Sequence, residues 1–285
     1  MNKDKILITG STGFIGKELL KSLKHRKVYI LSRKKVKKKY NKHINIRCDL
    51  RKKNNIKSIL TKISPSIIYH LAWYGIPTFD RKNFQINKEI TDNLIECINK
   101  STCKKIIISG SCAEYGHAMS CVKESSKTAK EISSLGKQKN YIRNLFFKKL
   151  DKKIICIWSR IFYVYGLGQR KGSLLSSISS CKEKFFQLKS PNTYNDYIYI
   201  KDVINALIIV KNFNKSLIVN ICTGRSLSNL YFATVFAKLN DIKIFTKKSK
   251  ITTKKKPFYG SNKLLKKIGW RQRFNLKNSF KDILS

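Results

Sequence analysis

An α/β fold with a doubly wound parallel sheet is what this sequence predicts, and three observations carry it. Short apolar runs rich in β-branched residues alternate with stretches of helical periodicity along the whole chain. The first run, Lys5 to Ile8, passes directly into Thr9-Gly10-Ser11-Thr12-Gly13-Phe14-Ile15-Gly16. Beyond Gly13, the apolar positions Phe14, Ile15, Leu19, Leu20 and Leu23 recur at helical spacing. Strand, glycine turn and helix in that order form the context in which a glycine pattern predicts phosphate binding. Gly10 permits the tight turn, Gly13 lets the backbone approach a pyrophosphate, and Gly16 lets the helix pack close. The phosphates then meet free N–H groups at the positive end of the helix.

Length and composition set the bounds. With 285 residues and 42% hydrophobic content, the chain can bury one large core or a sheet domain with a smaller lobe. Its 61 Lys and Arg against 16 Asp and Glu give a net charge of +45. Such a balance often marks a polyanion binder. Here the lysines are spread along the chain among many Ile and Asn, residues of A/T-rich codons, so base composition is a sufficient cause. A specific nucleic-acid partner is therefore not expected, though a basic surface steers anionic substrates. The eight cysteines form no Cys-x-x-Cys pair and no zinc spacing, which points to reduced thiols in a cytoplasm and to no metal. No secretory apolar region and no run approaching membrane-spanning length is present, so neither export nor a membrane is expected.

The spacing Gly10, Gly13, Gly16 in Thr-Gly-x-x-Gly-x-x-Gly resembles that of the extended short-chain dehydrogenase/reductase family, the nucleotide-sugar epimerases, dehydratases and reductases. The resemblance implies a Rossmann-type sheet. It places the dinucleotide on Gly10, Thr12, Gly13, Phe14, Ile15 and Gly16.

Val28 to Leu31 reads as the second strand, ending in Ser32-Arg33. An acid at this point takes the ribose 2′-hydroxyl of NAD, and an Arg accommodates the 2′-phosphate of NADP. Ile30 to Lys39 contains no acid, so Arg33 favours NADP, with NAD as the alternative. Ile44 to Arg47 is the third strand, ending in Cys48-Asp49-Leu50. By resemblance, Asp49 and Leu50 meet the adenine; Asp49 also reads as a cap for a helix over Lys52 to Lys62.

Ser66 to Leu71 is the fourth strand. His70-Leu71-Ala72 resembles the family's His-Leu-Ala, which sets Leu71, Ala72 and Trp73 against the cofactor. His70, inside an apolar strand, reads as structural. Tyr74 to Lys82 is a loop at the carboxyl end of the sheet, where ligands bind in open α/β folds, and Asn83 to Lys100 is a helix. Asn87 falls where the family carries an Asn near the nicotinamide half.

Lys105 to Ile108 is the fifth strand, and Ser109 to Gly116 resembles the family's Ser-Ser-x-x-x-Tyr-Gly. That places the carbonyl-orienting hydroxyl on Ser111. The Gly-Ser-Cys-x-Glu-Tyr wording is closest to reductases and dehydrogenases of 6-deoxy-hexose nucleotides. The acidic pair of the 4,6-dehydratases is replaced by Cys112 and Ala113.

The family's Tyr-x-x-x-Lys puts both side chains on one helix face, where the Lys ammonium lowers the Tyr pKa for proton exchange. Here Leu135 stands at the Tyr position and Lys139 is retained to hold the nicotinamide ribose. Tyr141, two residues further on, points to roughly the opposite face. Three explanations stay open. Another acid is recruited (Tyr74, Tyr115, His117, Tyr163 or a water), ordinary oxidoreductase activity is lost while the binding sites persist, or the correspondence is shifted here.

Ile154 to Trp158 is the sixth strand, and Arg160 to Gln169 resembles the family's Arg-x-Phe-x-Val-Tyr-Gly. Tyr163 replaces an Asn that holds substrate, and Asn195 replaces an Arg that pairs with the substrate diphosphate. Asp202 reads as the cap of a helix over Val203 to Lys211. A strand over Leu217 to Cys222, a helix over Ser228 to Leu239, a strand over Ile242 to Phe245 and a last helix over Leu276 to Leu284 follow. Leu264 to Trp270 resembles the family's closing Leu-x-x-x-Leu-Gly-Trp.

The resemblance implies a dinucleotide-binding domain over 1–165, with segments near 192–222 returning to it, and a discontinuous substrate lobe from 166–191 and 223–285. It implies keto-sugar reduction, sugar-hydroxyl oxidation or epimerisation on a nucleotide-linked deoxy-sugar for surface polysaccharide, and it allows a homodimer. The alternative is a catalytically reduced member that holds dinucleotide as a structural or sensing ligand.

Overall fold

The chain is described by a computed structural model over residues 4–33, 43–116, 120–246 and 257–285. Strand β1 (Ile6–Thr9), helix α1 (Phe14–Ser22), β2 (Val28–Ser32), β3 (Ile44–Arg47), α2 (Lys53–Ile63), β4 (Ile67–His70), α3 (Arg81–Asn99) and β5 (Lys105–Ser111) come first. Then follow β6 (Ser120–Val122), α4 (Ser134–Lys149), β7 (Ile155–Ile161), β8 (Tyr163–Tyr165), α5 (Leu174–Ser179), β9 (Phe185–Gln187), β10 (Tyr194–Asn195) and β11 (Tyr197–Tyr199). The chain closes with α6 (Ile200–Ile209), β12 (Leu217–Ile221), β13 (Leu227–Ser228), α7 (Asn229–Lys238), β14 (Lys243–Phe245), β15 (Phe258–Gly260), α8 (Lys263–Lys267) and α9 (Leu276–Leu284).

Seven strands form one parallel sheet in the order β12-β7-β5-β4-β1-β2-β3. Alternation along each strand feeds two helical layers. Ile6 and Ile8 of β1 join the core under α1 and α6, while Leu7 between them joins the core under α2, α3 and α4. The doubly wound sheet expected from the sequence is therefore present. Strand order reverses between β1 and β4, which opens a crevice at their carboxyl ends. β5 and β7 run three residues past their expected ends, because the pairing continues through Ser109↔Ser159, Gly110↔Arg160 and Ser111↔Ile161. That extension carries polar residues of both strands up to the crevice. Four two-stranded pairs (β8·β11, β9·β14, β10·β13 and β6·β15) lie outside this sheet.

Helix starts follow side-chain chemistry. Asp80 caps α3 through Asn83 N at 2.7 Å, and Ser133 caps α4 through Gly136 N at 3.2 Å. Two expected caps are corrected. Asp49 does not cap α2, whose cap is Lys52; its carboxylate is engaged by the Arg51 guanidinium and backbone N–H. Asp202 lies inside the first turn of α6 and accepts instead from Arg273 N (2.9 Å) and Phe274 N (3.2 Å). Trp270 Nε1 donates to the Asp202 carbonyl at 3.2 Å, so Asp202 pins the C-terminal segment to α6. No helix among the described residues is long and apolar enough to cross a membrane.

Candidate active site

The crevice is a cleft of about 1050 Å³ that runs from the glycine turn to the start of α4. Its floor is the turn after β1. Gly10 has φ +74°, and a Cβ there would stand 2.5 Å from Ala72 N. A Cβ on Gly16 would stand 2.2 Å from Gly10 O. The turn, the end of β4 and the first turn of α1 are thus packed backbone to backbone. Gly13 is the N-cap of α1 and offers no side-chain acceptor to the helix's first N–H groups. The buried Ser11 Oγ also has no partner among the described residues. Free N–H donors beside a Cβ-less approach make a cradle that fits a diphosphate.

Of the residues predicted from sequence, Gly10, Thr12, Gly13, Phe14, Ile15, Gly16, Arg33, Asp49, Leu50, Leu71, Ala72, Trp73 and Lys139 all line this cleft. At the β2–β3 end the Arg33 guanidinium lies 5.2 Å from the centre of the Tyr74 ring. Arg51 grips Asp49 there, and that hydrogen bonding holds the Asp49 carboxyl below its ordinary range. Three guanidinium groups (Arg33, Arg51 and Arg170), with the titratable Lys139, face one carboxylate, Asp49, so the cleft suits an anion.

Two predicted residues sit elsewhere. Asn87 does not line the cleft. It is buried in α3, where its amide accepts from Tyr74 N (2.8 Å) and donates to Tyr74 O (3.0 Å). It therefore holds the Tyr74 loop, because the α3 face that carries it points at that loop's backbone. Ser111 stands just beyond Ser109 and Gly110, the last residues of β5 on the cleft wall. Its hydroxyl accepts from Ala113 N at 3.1 Å, capping the short 3₁₀ turn Cys112–Tyr115, while its own N–H donates to Glu114 Oε1 at 2.9 Å. Local capping competes for the hydroxyl that the resemblance assigns to substrate.

Glu114 was not singled out in the sequence. It is fully buried and accepts from Trp158 Nε1 (2.8 Å), Arg143 Nη1 (2.8 Å) and Arg160 Nε (3.0 Å) besides Ser111 N. It ties the end of β5 to β7 and α4. A lone acid among the small and apolar residues of Gly110 to Tyr115 was the signal the sequence offered.

At the α4 end, Leu135 and Lys139 both line the cleft. Tyr141 faces away, half exposed and edge-on to Phe84 at 5.3 Å. Lys139 Nζ donates to Ser109 O at 2.7 Å and lies 3.7 Å from the centre of the Trp73 ring. Burial pulls the Lys139 ammonium down to about 7. His70 is structural, as its strand position suggests: Nδ1 shares a hydrogen with Thr9 Oγ1 at 2.8 Å, and burial lowers the imidazole to about 3. Tyr115 is removed from the candidate acids. It is fully buried, its hydroxyl donates to Asn220 Oδ1 at 2.7 Å, and burial pushes it up to about 12. His117 lies outside the described residues.

A second cavity of about 940 Å³ adjoins the first, and Tyr163, Val164, Gln169 and Arg170 line both. Asn195 lines it, but its amide is bound to Tyr197 Oη (3.3 Å) and Asn229 Oδ1 (3.0 Å). No group of His, Cys, Asp and Glu able to hold a metal occurs among the described residues.

The chain is 26% identical over 228 residues to the GDP-6-deoxy-D-talose 4-dehydrogenase of Aggregatibacter actinomycetemcomitans, which spans 77% of this chain and 74% of that protein. Among solved structures, MoeE5 in complex with UDP-glucuronic acid and NAD has a TM-score of 0.83 at 23% identity, covering 97% of this chain and 96% of its own. The ADP-L-glycero-D-manno-heptose-6-epimerase of Helicobacter pylori also reaches 0.83, at 20% identity over 99% and 95% of the two chains. The UDP-glucuronic acid 4-epimerase of Bacillus cereus, solved with UDP-glucuronic acid and NAD, reaches 0.81 at 21% identity over 98% and 97%. Residues 6–222, from the first strand to the residue after β12, match the NAD dependent epimerase/dehydratase family, and the chain belongs to that family.

Proposed function

We propose that this chain is an NAD(P)-dependent oxidoreductase or epimerase of a nucleotide-linked 6-deoxy-sugar, acting in keto-sugar reduction or sugar-hydroxyl oxidation. The observation that carries the reading is that two cavities adjoin, with Tyr163, Val164, Gln169 and Arg170 lining both. The first carries a diphosphate cradle and an excess of cations; the second opens beside it, large enough for a sugar nucleotide. The 4-dehydrogenase relative, named for a GDP-linked 6-deoxy-sugar, supports the same substrate class. Arg33 on the cleft wall favours NADP over NAD, through a charge-assisted contact to a 2′-phosphate. A bound nicotinamide would exchange hydride with the substrate carbon; Lys139 would hold its ribose, and Ser111 would orient the carbonyl from the cleft's rim. The free cysteines fit a cytoplasmic setting.

The test is direct. NADPH and NADH are titrated by energy transfer from tryptophan, Trp73 being in the cleft, followed by hydride transfer to GDP- and UDP-linked 4-keto-6-deoxy-sugars. We expect binding, tighter for NADPH, and turnover with one nucleotide series. Absence of dinucleotide binding would sink the reading. Leu135 on the cleft wall favours a second reading, a protein that retains dinucleotide as a structural or sensing ligand. It predicts tight retention with no hydride exchange against the whole panel.

A further inference from the structure

Reduction of a carbonyl takes a proton as well as a hydride. At the α4 end of the cleft the walls are Ser109 and Gly110, Leu135 and Lys139, Trp73 and Tyr74, and Ile161 to Tyr163. Among the described residues, only Lys139, Tyr74 and Tyr163 bring an ionisable O–H or N–H to these walls. Tyr74 turns its ring toward Arg33 at the β2 end. Tyr163 stands on β8 with its ring 6.0 Å from that of Tyr197, at the mouth of the second cavity.

Lys139 differs from both. Its ammonium has three N–H bonds. One is spent on Ser109 O, and the Trp73 face lies against the cation, which leaves one N–H for the nicotinamide ribose and one for the substrate oxygen. No carboxylate pairs with it among the described residues. The charged and titratable groups around it are accounted for. Glu114, from the 3₁₀ turn, is paired with Arg143 of α4 and Arg160 of β7 and acts on Lys139 only through space, where it offsets part of the effect of burial. His70, from β4, is bonded to Thr9 and is kept neutral by burial and by Lys139 itself. A lysine this buried and unpaired is not a fixed cation, and burial brings it near neutrality, where a proton is both given and regained readily.

Resting on the oxidoreductase reading above, we propose that Lys139 itself carries the reaction proton in this chain, in place of the tyrosine that Leu135 displaces. In reduction, hydride from a dihydronicotinamide reaches the carbonyl carbon as the C=O π pair moves onto oxygen. An N–H bond of Lys139 breaks, the O–H bond of the product forms, and the neutral amine takes a proton back from water. In oxidation the neutral amine accepts the hydroxyl proton, the O–H pair forms the C=O π bond, and the carbinol C–H bond breaks with its hydride passing to an oxidised nicotinamide.

The first test needs no turnover. The Cε resonances of isotope-labelled lysines are followed by NMR against pH on the whole chain. One resonance is expected to titrate near 7, about three units below ordinary lysines, and to vanish in both Lys139→Arg and Lys139→Met. No lysine titrating below about 9 overturns the proposal. The second test is single-turnover oxidation of bound NADPH by a nucleotide-linked 4-keto-6-deoxy-sugar. Wild-type rates should fall above pH 7, and Lys139→Met should lose about 10²–10⁴-fold while Tyr163→Phe keeps the wild-type pH profile. Loss of the profile in Tyr163→Phe, or its survival in Lys139→Met, refutes the proposal and leaves the oxidoreductase reading standing. Dinucleotide binding without hydride transfer to any of the keto-sugars refutes both. A resonance near 7 in a chain that binds no dinucleotide refutes the oxidoreductase reading and, with it, the role given to Lys139.

Discussion

Replacing Glu114 by Ala probes the joint on which the site is hung. The carboxylate is fully buried and accepts four hydrogen bonds, two of them from guanidinium groups. Its loss strands Arg143 and Arg160, whose side chains are 15% and 5% exposed, together with the N–H groups of Ser111 and Trp158. Some interactions survive: Arg143 keeps Asn140 Oδ1, while Arg160 keeps the Glu124 carbonyl at 3.2 Å and the Tyr115 ring at 4.3 Å. Removing one side of a buried ion pair typically costs about 3–5 kcal/mol, and these surviving contacts keep the expected loss inside that range. Against a total stability of about 5–15 kcal/mol, that is a large fraction. Glu114→Gln keeps the shape and one carbonyl acceptor for Trp158 and Ser111, so it should cost about half as much. Urea unfolding followed by circular dichroism reads both. Glu114 also favours the charged form of Lys139, so Glu114→Ala should move the Lys139 titration further below 7. A Glu114→Ala loss under about 1 kcal/mol, or equal losses for the two variants, would refute the account of Glu114 as the charged tie between β5, β7 and α4.

Other outcomes follow from the same geometry. Gly16→Ala puts a Cβ 2.2 Å from Gly10 O, so α1 must back away from the turn; a stability loss of about 1–3 kcal/mol is expected, and dinucleotide titration should show weaker binding. Arg33→Ala should weaken NADPH about 10–100-fold, the equivalent of one charge-assisted hydrogen bond, and leave NADH nearly unchanged; equal losses for both would remove Arg33 from the 2′-phosphate. His70 has a folded-state pKa of about 3, below its ordinary value near 6.5. The unfolded chain then binds its proton first on acidification, so this stabilising contribution is complete above pH 6.5 and is lost as pH falls toward 3. His70→Gln should flatten that part of the unfolding free energy against pH, by up to about 1.4 kcal/mol per pH unit.

What the sequence determined by itself is the local grammar. The β-branched runs, the glycine turn and the amphipathic helix after it specify strand, turn and helix from nearest-neighbour sterics and periodicity alone. Hence β3 and α9 fall on their predicted residues. Thirteen predicted site residues line one cleft, but those beyond the glycine turn and Arg33 rested on the family resemblance rather than on local sterics. Tertiary structure decided the rest, because hydrogen-bond partners and burial depend on which distant elements meet. Asn87 became a clamp on the Tyr74 loop, Asp202 a tie to residues 273 and 274, and Ser111 a cap on its own turn. Glu114 meets Arg160, forty-six positions away, only because β5 and β7 pair out to Ser111 and Ile161. Lys139 shows the division most clearly. Its place one turn after Leu135 is written in the sequence. Its desolvation is not, since that exists only once β5, the Trp73 loop and α4 close around the ammonium and withhold a carboxylate from it.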